Sequence, residues 1–177
     1  TLTGTEINLT GCGRTDSGVH ASHFVAHFDL PAALDDGQAF ARRLNRFLQG
    51  SVRIDRVEPV TEDAHARFTA ISRTYHYLIA KRKNPFMAPF AWELHIPLQL
   101  DKMNKAAASI TGRHDFTSFS KLHTDVKTNI CEVFEAEWID IEDFLIFRIK
   151  AGRFLRNMVR ALVGTMVEAG KGKDPDF

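Results

Sequence analysis

Apolar residues alternate with polar ones in some stretches of this chain and recur at helical spacing in others. The two periods predict its elements. Ile7 and Leu9, then Phe24, Ala26 and Phe28, alternate with their neighbours and predict strands over about 6–11 and 22–30. Phe40, Leu44, Phe47 and Leu48 share one helical face, which predicts a helix over about 37–49. Arg42, Arg43 and Arg46 fall largely on its other side, and a strand is predicted next, over about 51–60.

The second half repeats the mixture. Tyr75, Tyr77 and Ile79 alternate with Thr74, His76, Leu78 and Ala80, predicting a strand over about 69–82 that Asn84-Pro85 ends. A helix is expected over about 101–111, with Asp101 as its N-cap and Gly112 as its stop. Strands over about 130–141 and 144–151 form a hairpin turning at Glu142-Asp143, and a last helix runs over about 153–170 to Gly170. Strands interleaved with packing helices make an α+β chain. No Ser/Gly-rich linker, low-complexity tract or short repeat divides it.

Between the first two strands lies Gly11-Cys12-Gly13-Arg14-Thr15-Asp16-Ser17-Gly18-Val19-His20-Ala21. Three glycines in eight residues mark a sharply turning loop, because glycine alone reaches positive φ without a Cβ clash. The loop holds out one carboxylate, Asp16, with Arg14 two residues before it. By themselves these residues suit either an ordinary Asp-Ser-Gly turn or a scaffold for chemistry.

Composition narrows the choice little. The 177 residues are 44% apolar and 25% charged, as in soluble globular proteins, and carry a net charge of +1. Any surface for a polyanion is therefore a local patch. Arg67, Arg73, Lys81, Arg82 and Lys83 gather around the central strand, and Lys150, Arg153 and Arg156 lead into the last helix. They read either as a groove for a phosphate backbone or as solvated charge. Cys12 and Cys131 are too few for a disulfide framework, and with no basic-then-apolar leader the expected compartment is the cytoplasm. The longest apolar run, Met158 to Val167, is broken by Arg160 and too short to span a bilayer.

The eleven-residue loop resembles the active-site motif of the tRNA pseudouridine synthase A family, and the resemblance runs over nearly all of the chain. It implies two ferredoxin-like halves, residues 1–66 and 67–177, with their sheets joined around a central cleft. It also implies an opening strand and helix and a final tail beyond the residues present. The activity implied is conversion of uridine to pseudouridine in the tRNA anticodon stem-loop, at nucleotides 38 to 40, by a homodimer.

That reaction breaks the C1′–N1 bond, turns the uracil and joins C1′ to C5. It involves no net redox change and no hydrolysis, so no cofactor, metal or ATP is expected. The resemblance makes Asp16 the catalytic carboxylate, acting by covalent addition or by abstracting a sugar proton. It makes Tyr75, in Ser72-Arg73-Thr74-Tyr75-His76-Tyr77, the stacking residue and candidate acceptor of the C5 proton. Arg14 becomes the residue that fills the space of a flipped nucleotide.

Arg160 sits in Asn157-Met158-Val159-Arg160-Ala161-Leu162-Val163-Gly164. Its apolar flanks predict either a guanidinium snorkelling to the surface beside Arg156 or a buried one that needs a partner. The family motif sets it against the catalytic Asp. A buried charge left unpaired would cost about 3–5 kcal/mol.

Other chemistries find less support. His20, His23 and His27 include only one same-face pair and no cysteine pair at ligand spacing, so no metal is expected. Asp16, Ser17 and His20 lie too close in one turn to form a nucleophile–base–orienter chain, and no phosphate-cradling glycine motif occurs. Two alternatives stay open: a non-catalytic RNA-binding module, and the same chemistry on another RNA.

Overall fold

The computed structural model of the chain describes residues 4–48, 50–121 and 128–173. It is α+β, and it divides into two compact units. The smaller comprises Thr1–Asp16 and Ala21–Ala70, the larger Ser17–His20 and Ile71–Phe177.

In the smaller unit, β1 (Thr10–Gly11) pairs antiparallel with β2 (Ala26–His27) through only two residues each. Helix α1 (Gly37–Phe47) follows, its N-cap Asp36 accepting a hydrogen bond from the Ala39 amide. Phe40 and Ala41 are the buried side chains of this unit among the described residues. The expected strand over 51–60 joins no ladder among the described residues. Its Ile54 is instead clipped to α1, where the Asn45 amide accepts from the Ile54 N–H and donates to the Ile54 carbonyl, both at 2.7 Å.

In the larger unit, β3 (Arg73–Ala80), β4 (Ala91–Glu93), β5 (Gly112–Asp115), β6 (Ile130–Ile141) and β7 (Phe144–Ala151) form one sheet in the order β4-β3-β7-β6-β5. Only the β3–β4 pair is parallel. The long hairpin β6–β7 has the expected boundaries, and Glu142 takes φ 44° in its turn. Strict alternation explains the match: Leu145, Phe147, Ile149 and Ala151 are buried, and their intervening neighbours are half-buried.

Helices α2 (Leu100–Ser109) and α3 (Met158–Gly170) supply the rest of the core. Met103, Ala107, Leu162, Val163, Met166 and Val167 pack there with Ile79, Phe147 and Trp138. The Trp138 ring stacks on Phe147 at 5.0 Å, and its indole N–H reaches the Met166 sulfur at 3.3 Å. Asn104 of α2 clips the backbone of Trp138 as Asn45 clips that of Ile54.

Several expectations need correction. Among the described residues the strands form a β1–β2 ladder in the smaller unit and the five-stranded sheet in the larger. Helix α2 is capped by Gln99, leaving Asp101 inside its first turn, and Gly112 (φ 104°) opens β5 instead of closing the helix. Helix α3 starts five residues later than expected, because Asn157 is left-handed (φ 68°) and interrupts the run. The expected helix end at residue 49 lies outside the described residues. Among the described residues no helix is long and apolar enough to cross a membrane.

Candidate active site

The motif loop leaves β1 and returns to β2, closed at its base by the Cys12 amide donating to the Val25 carbonyl at 2.8 Å. A Cβ on Gly11 would lie 2.9 Å from the exposed Phe24 ring, so a larger residue there would have to displace that ring. Arg14 and Asp16 sit on the loop in the smaller unit, and both are exposed. His27, at the end of β2, accepts the Ala66 N–H at its Nδ1 (3.1 Å) and faces the His65 ring at 4.6 Å. It therefore serves the loop's foundation.

Directly after Asp16 the chain passes into the larger unit for four residues, Ser17–His20, and then returns. Gly18 makes the turn at φ 80°, a conformation that side-chain-bearing residues rarely adopt. Two contacts hold this passage. The Arg160 Nη2 donates to the Ser17 carbonyl at 3.2 Å, and the His20 ring lies 4.4 Å from the Phe90 ring.

Arg160 is exposed, which decides between the two sequence readings of its burial. On α3 the buried stripe runs through Met158, Leu162, Val163 and Met166, and Arg160 projects from another side of the helix. The penalty for an uncompensated buried charge does not apply here, so its apolar neighbours in sequence were a poor guide.

Tyr75 lies on β3 opposite Ile149 of β7, half-buried and on the face that carries the core. Its ring meets Phe154 edge-on at 5.0 Å. Phe154 belongs to the short segment that leads into α3 and so to Arg160. That segment is pinned at several points: Arg73 Nη1 donates to the Gly152 carbonyl at 3.1 Å, the Gly152 amide to the Glu132 carbonyl at 3.1 Å, and the Lys121 amide to the Arg156 carbonyl at 3.0 Å. Within the larger unit, Tyr75 and the first turn of α3 thus share one braced corner.

Three of the eight residues in the predicted basic cluster are ion-paired. Lys81 pairs with Asp140, Arg82 with Asp143 and Lys150 with Glu135, while Arg148 bridges Glu135 and Glu137. Arg153 and Arg156 have no carboxylate partner among the described residues. The loop-facing residue that pattern reasoning missed is Phe90. A ring 70 positions downstream of His20 leaves no periodic signal in sequence.

The chain is similar to known proteins over most of its length. A family model described as tRNA pseudouridine synthase matches residues 106–176. The tRNA pseudouridine synthase A of Bacteroides fragilis is 50% identical over 169 residues, covering 95% of this chain and 67% of that protein. That of Porphyromonas gingivalis is 49% identical over 170 residues, with 94% and 68% covered. That of Bacteroides thetaiotaomicron is 49% identical over 171 residues, with 95% and 63% covered. The chain therefore spans about two thirds of the length of these relatives.

Proposed function

Because the chain belongs to the tRNA pseudouridine synthase family, we propose that it isomerises uridine to pseudouridine in tRNA, at positions 38 to 40 of the anticodon stem-loop. The observation that carries the reading is the bond from Arg160 to the carbonyl of Ser17, the residue that follows Asp16. Two sequence motifs separated by 143 residues meet there.

In this reading the Asp16 carboxylate acts at the ribose–uracil junction while the C1′–N1 bond breaks. Arg160 steadies the peptide after Asp16 through its bond to the Ser17 carbonyl. Tyr75, braced edge-on by Phe154, stacks on the detached uracil so that C5 can replace N1 at C1′. The C5 proton leaves and N1 gains one, so the product is an isomer of the substrate. Arg14, exposed on the loop, occupies the space that the flipped nucleotide vacates. Arg153 and Arg156 contact backbone phosphates, and the acting species is a cytoplasmic homodimer.

Release of hydrogen from C5 of labelled uridine in tRNA tests the reading directly. The wild-type protein is expected to release label, and Asp16→Ala to bind tRNA with release at background. Normal release by Asp16→Ala would overturn the assignment of the carboxylate. A wild-type protein that binds without release would instead be an RNA-binding module.

A further inference from the structure

The passage Ser17–His20 raises a question that the proposed chemistry leaves unanswered: what fixes the peptide on which the acting carboxylate depends? Asp16 lies on an exposed loop, and a loop held only at its base moves readily. The Arg160 bond reaches Ser17 alone. Three residues further on, the His20 ring packs against Phe90 at 4.4 Å, with the planes tilted by 57°. That separation lies at the near edge of direct aromatic contact.

Phe90 is firmly placed. The Asn84 side chain accepts from the Phe86 and Met87 amides at 3.1 and 3.2 Å, closing the turn that follows β3. The Met87 carbonyl then accepts from both the Phe90 and Ala91 amides, at 2.9 and 3.0 Å. Ala91 opens β4 and pairs with Leu78 of β3, the strand that carries Tyr75. A short hydrogen-bonded path therefore runs from the Tyr75 strand through the Asn84 turn to the ring beneath His20.

We propose that Phe90 is a positioning residue for the reaction, acting through His20. Together with the Arg160–Ser17 bond, it fixes Ser17–His20, the four residues after Asp16, within the larger unit. This rests on the functional reading above. Neither Phe90 nor His20 touches substrate in it, and their effect is on where the loop stands when substrate arrives. A small displacement of a reacting group costs far more in rate than in binding.

Kinetics and backbone order parameters together test the idea. Phe90→Ala is expected to lower kcat for C5-hydrogen release about ten- to a hundred-fold. The KM for tRNA should stay within about two-fold, because the lost contact lies outside the binding surface. Phe90→Tyr keeps a ring in place and is expected to restore kcat. The double variant His20→Ala with Phe90→Ala should be no slower than the worse single variant, since both remove one contact. In parallel, NMR order parameters at Ser17–His20 should fall in Phe90→Ala and return to wild type in Phe90→Tyr, while those of β6 and β7 stay high.

An unchanged kcat in Phe90→Ala, or losses that multiply in the double variant, would overturn the proposal. So would a raised KM at constant kcat, which would make Phe90 part of the binding surface. If the wild-type protein releases no label, the functional reading fails and takes the catalytic role of Phe90 with it. The order parameters still decide whether the anchor exists.

Discussion

Both units clip a neighbouring segment to a helix with one asparagine side chain, yet the two clips work in different surroundings. Asn104 serves the Trp138 backbone at a half-buried site, accepting its N–H at 2.8 Å and donating to its carbonyl at 3.1 Å. It completes a sheet whose interior is filled by Phe147, Ile149, Met158 and Leu162. Asn45 does the same for Ile54 in the open, on a unit that buries only Phe40 and Ala41 among the described residues. Leu9, Phe47 and Phe68 of that unit remain 69%, 66% and 74% exposed. The lesson is one of division of labour. The larger unit holds its residues rigidly by packing, whereas the smaller presents Arg14 and Asp16 on a lightly anchored loop.

The largest expected effect separates the two cores. Phe147→Ala empties a fully buried site stacked on Trp138 and should destabilise the larger unit by about 3–5 kcal/mol. Phe40→Ala removes a ring whose aromatic neighbour, Phe28, is 6.4 Å away, and should melt the smaller unit at a cost of about 1–3 kcal/mol. Native-state hydrogen exchange distinguishes the outcomes. Phe40→Ala should expose α1 amides and leave β6 and β7 protected. Equal loss of protection in both units would show one cooperative structure and break the comparison.

A smaller contrast comes from the clips themselves. Asn104→Ala strands the N–H and carbonyl of Trp138 at a site water reaches poorly, for about 1–3 kcal/mol. Asn45→Ala exposes the Ile54 groups to solvent, which replaces the lost bonds, so about 0.5–1 kcal/mol is expected. Urea midpoints read with a tryptophan signal for the larger unit and α1 exchange for the smaller would resolve the two. Similar losses at both sites would mean that the smaller unit is better packed than its exposed residues indicate.

The same contrast governs what could be read from sequence. The β6–β7 hairpin was legible because β7 alternates strictly between buried and half-buried positions, and β6 alternates too apart from a bulge near Val133 and Glu135. β1 and β2 alternate too, but pattern alone does not supply a partner strand, and each pairs over only two residues. β4 and β5 are three and four residues long, and Gly112-Arg113-His114-Asp115 reads locally as a turn. At the site, the glycines and carboxylate of the loop announced themselves, and the motif of α3 singled out Arg160. Its exposure was also readable from the helical positions of Met158, Leu162 and Val163. The bond to the Ser17 carbonyl and the ring of Phe90 were not, because both depend on how distant segments pack.

The smallest expected effect concerns an acid-sensitive end of the larger unit. At the last turn of α3, Glu168 accepts from Lys171 and Lys173, and these hydrogen bonds pull its carboxyl down from 4.5 to about 2. The folded value is depressed, so the contribution is complete above the ordinary carboxylate range. It disappears as pH falls from about 4.5 through about 2. Glu168→Gln should therefore fray the end of α3 at neutral pH and match wild type near pH 2. Solvent screening and the preference of helix C-termini for cations keep the effect small, since Lys171 and Lys173 can turn to the terminal carbonyls once the carboxylate is gone. Amide exchange at residues 167–173 between about pH 5 and pH 2 measures it. A difference between variant and wild type that persists at the acid end would assign the ordering of this turn to the buried side chains of α3 instead.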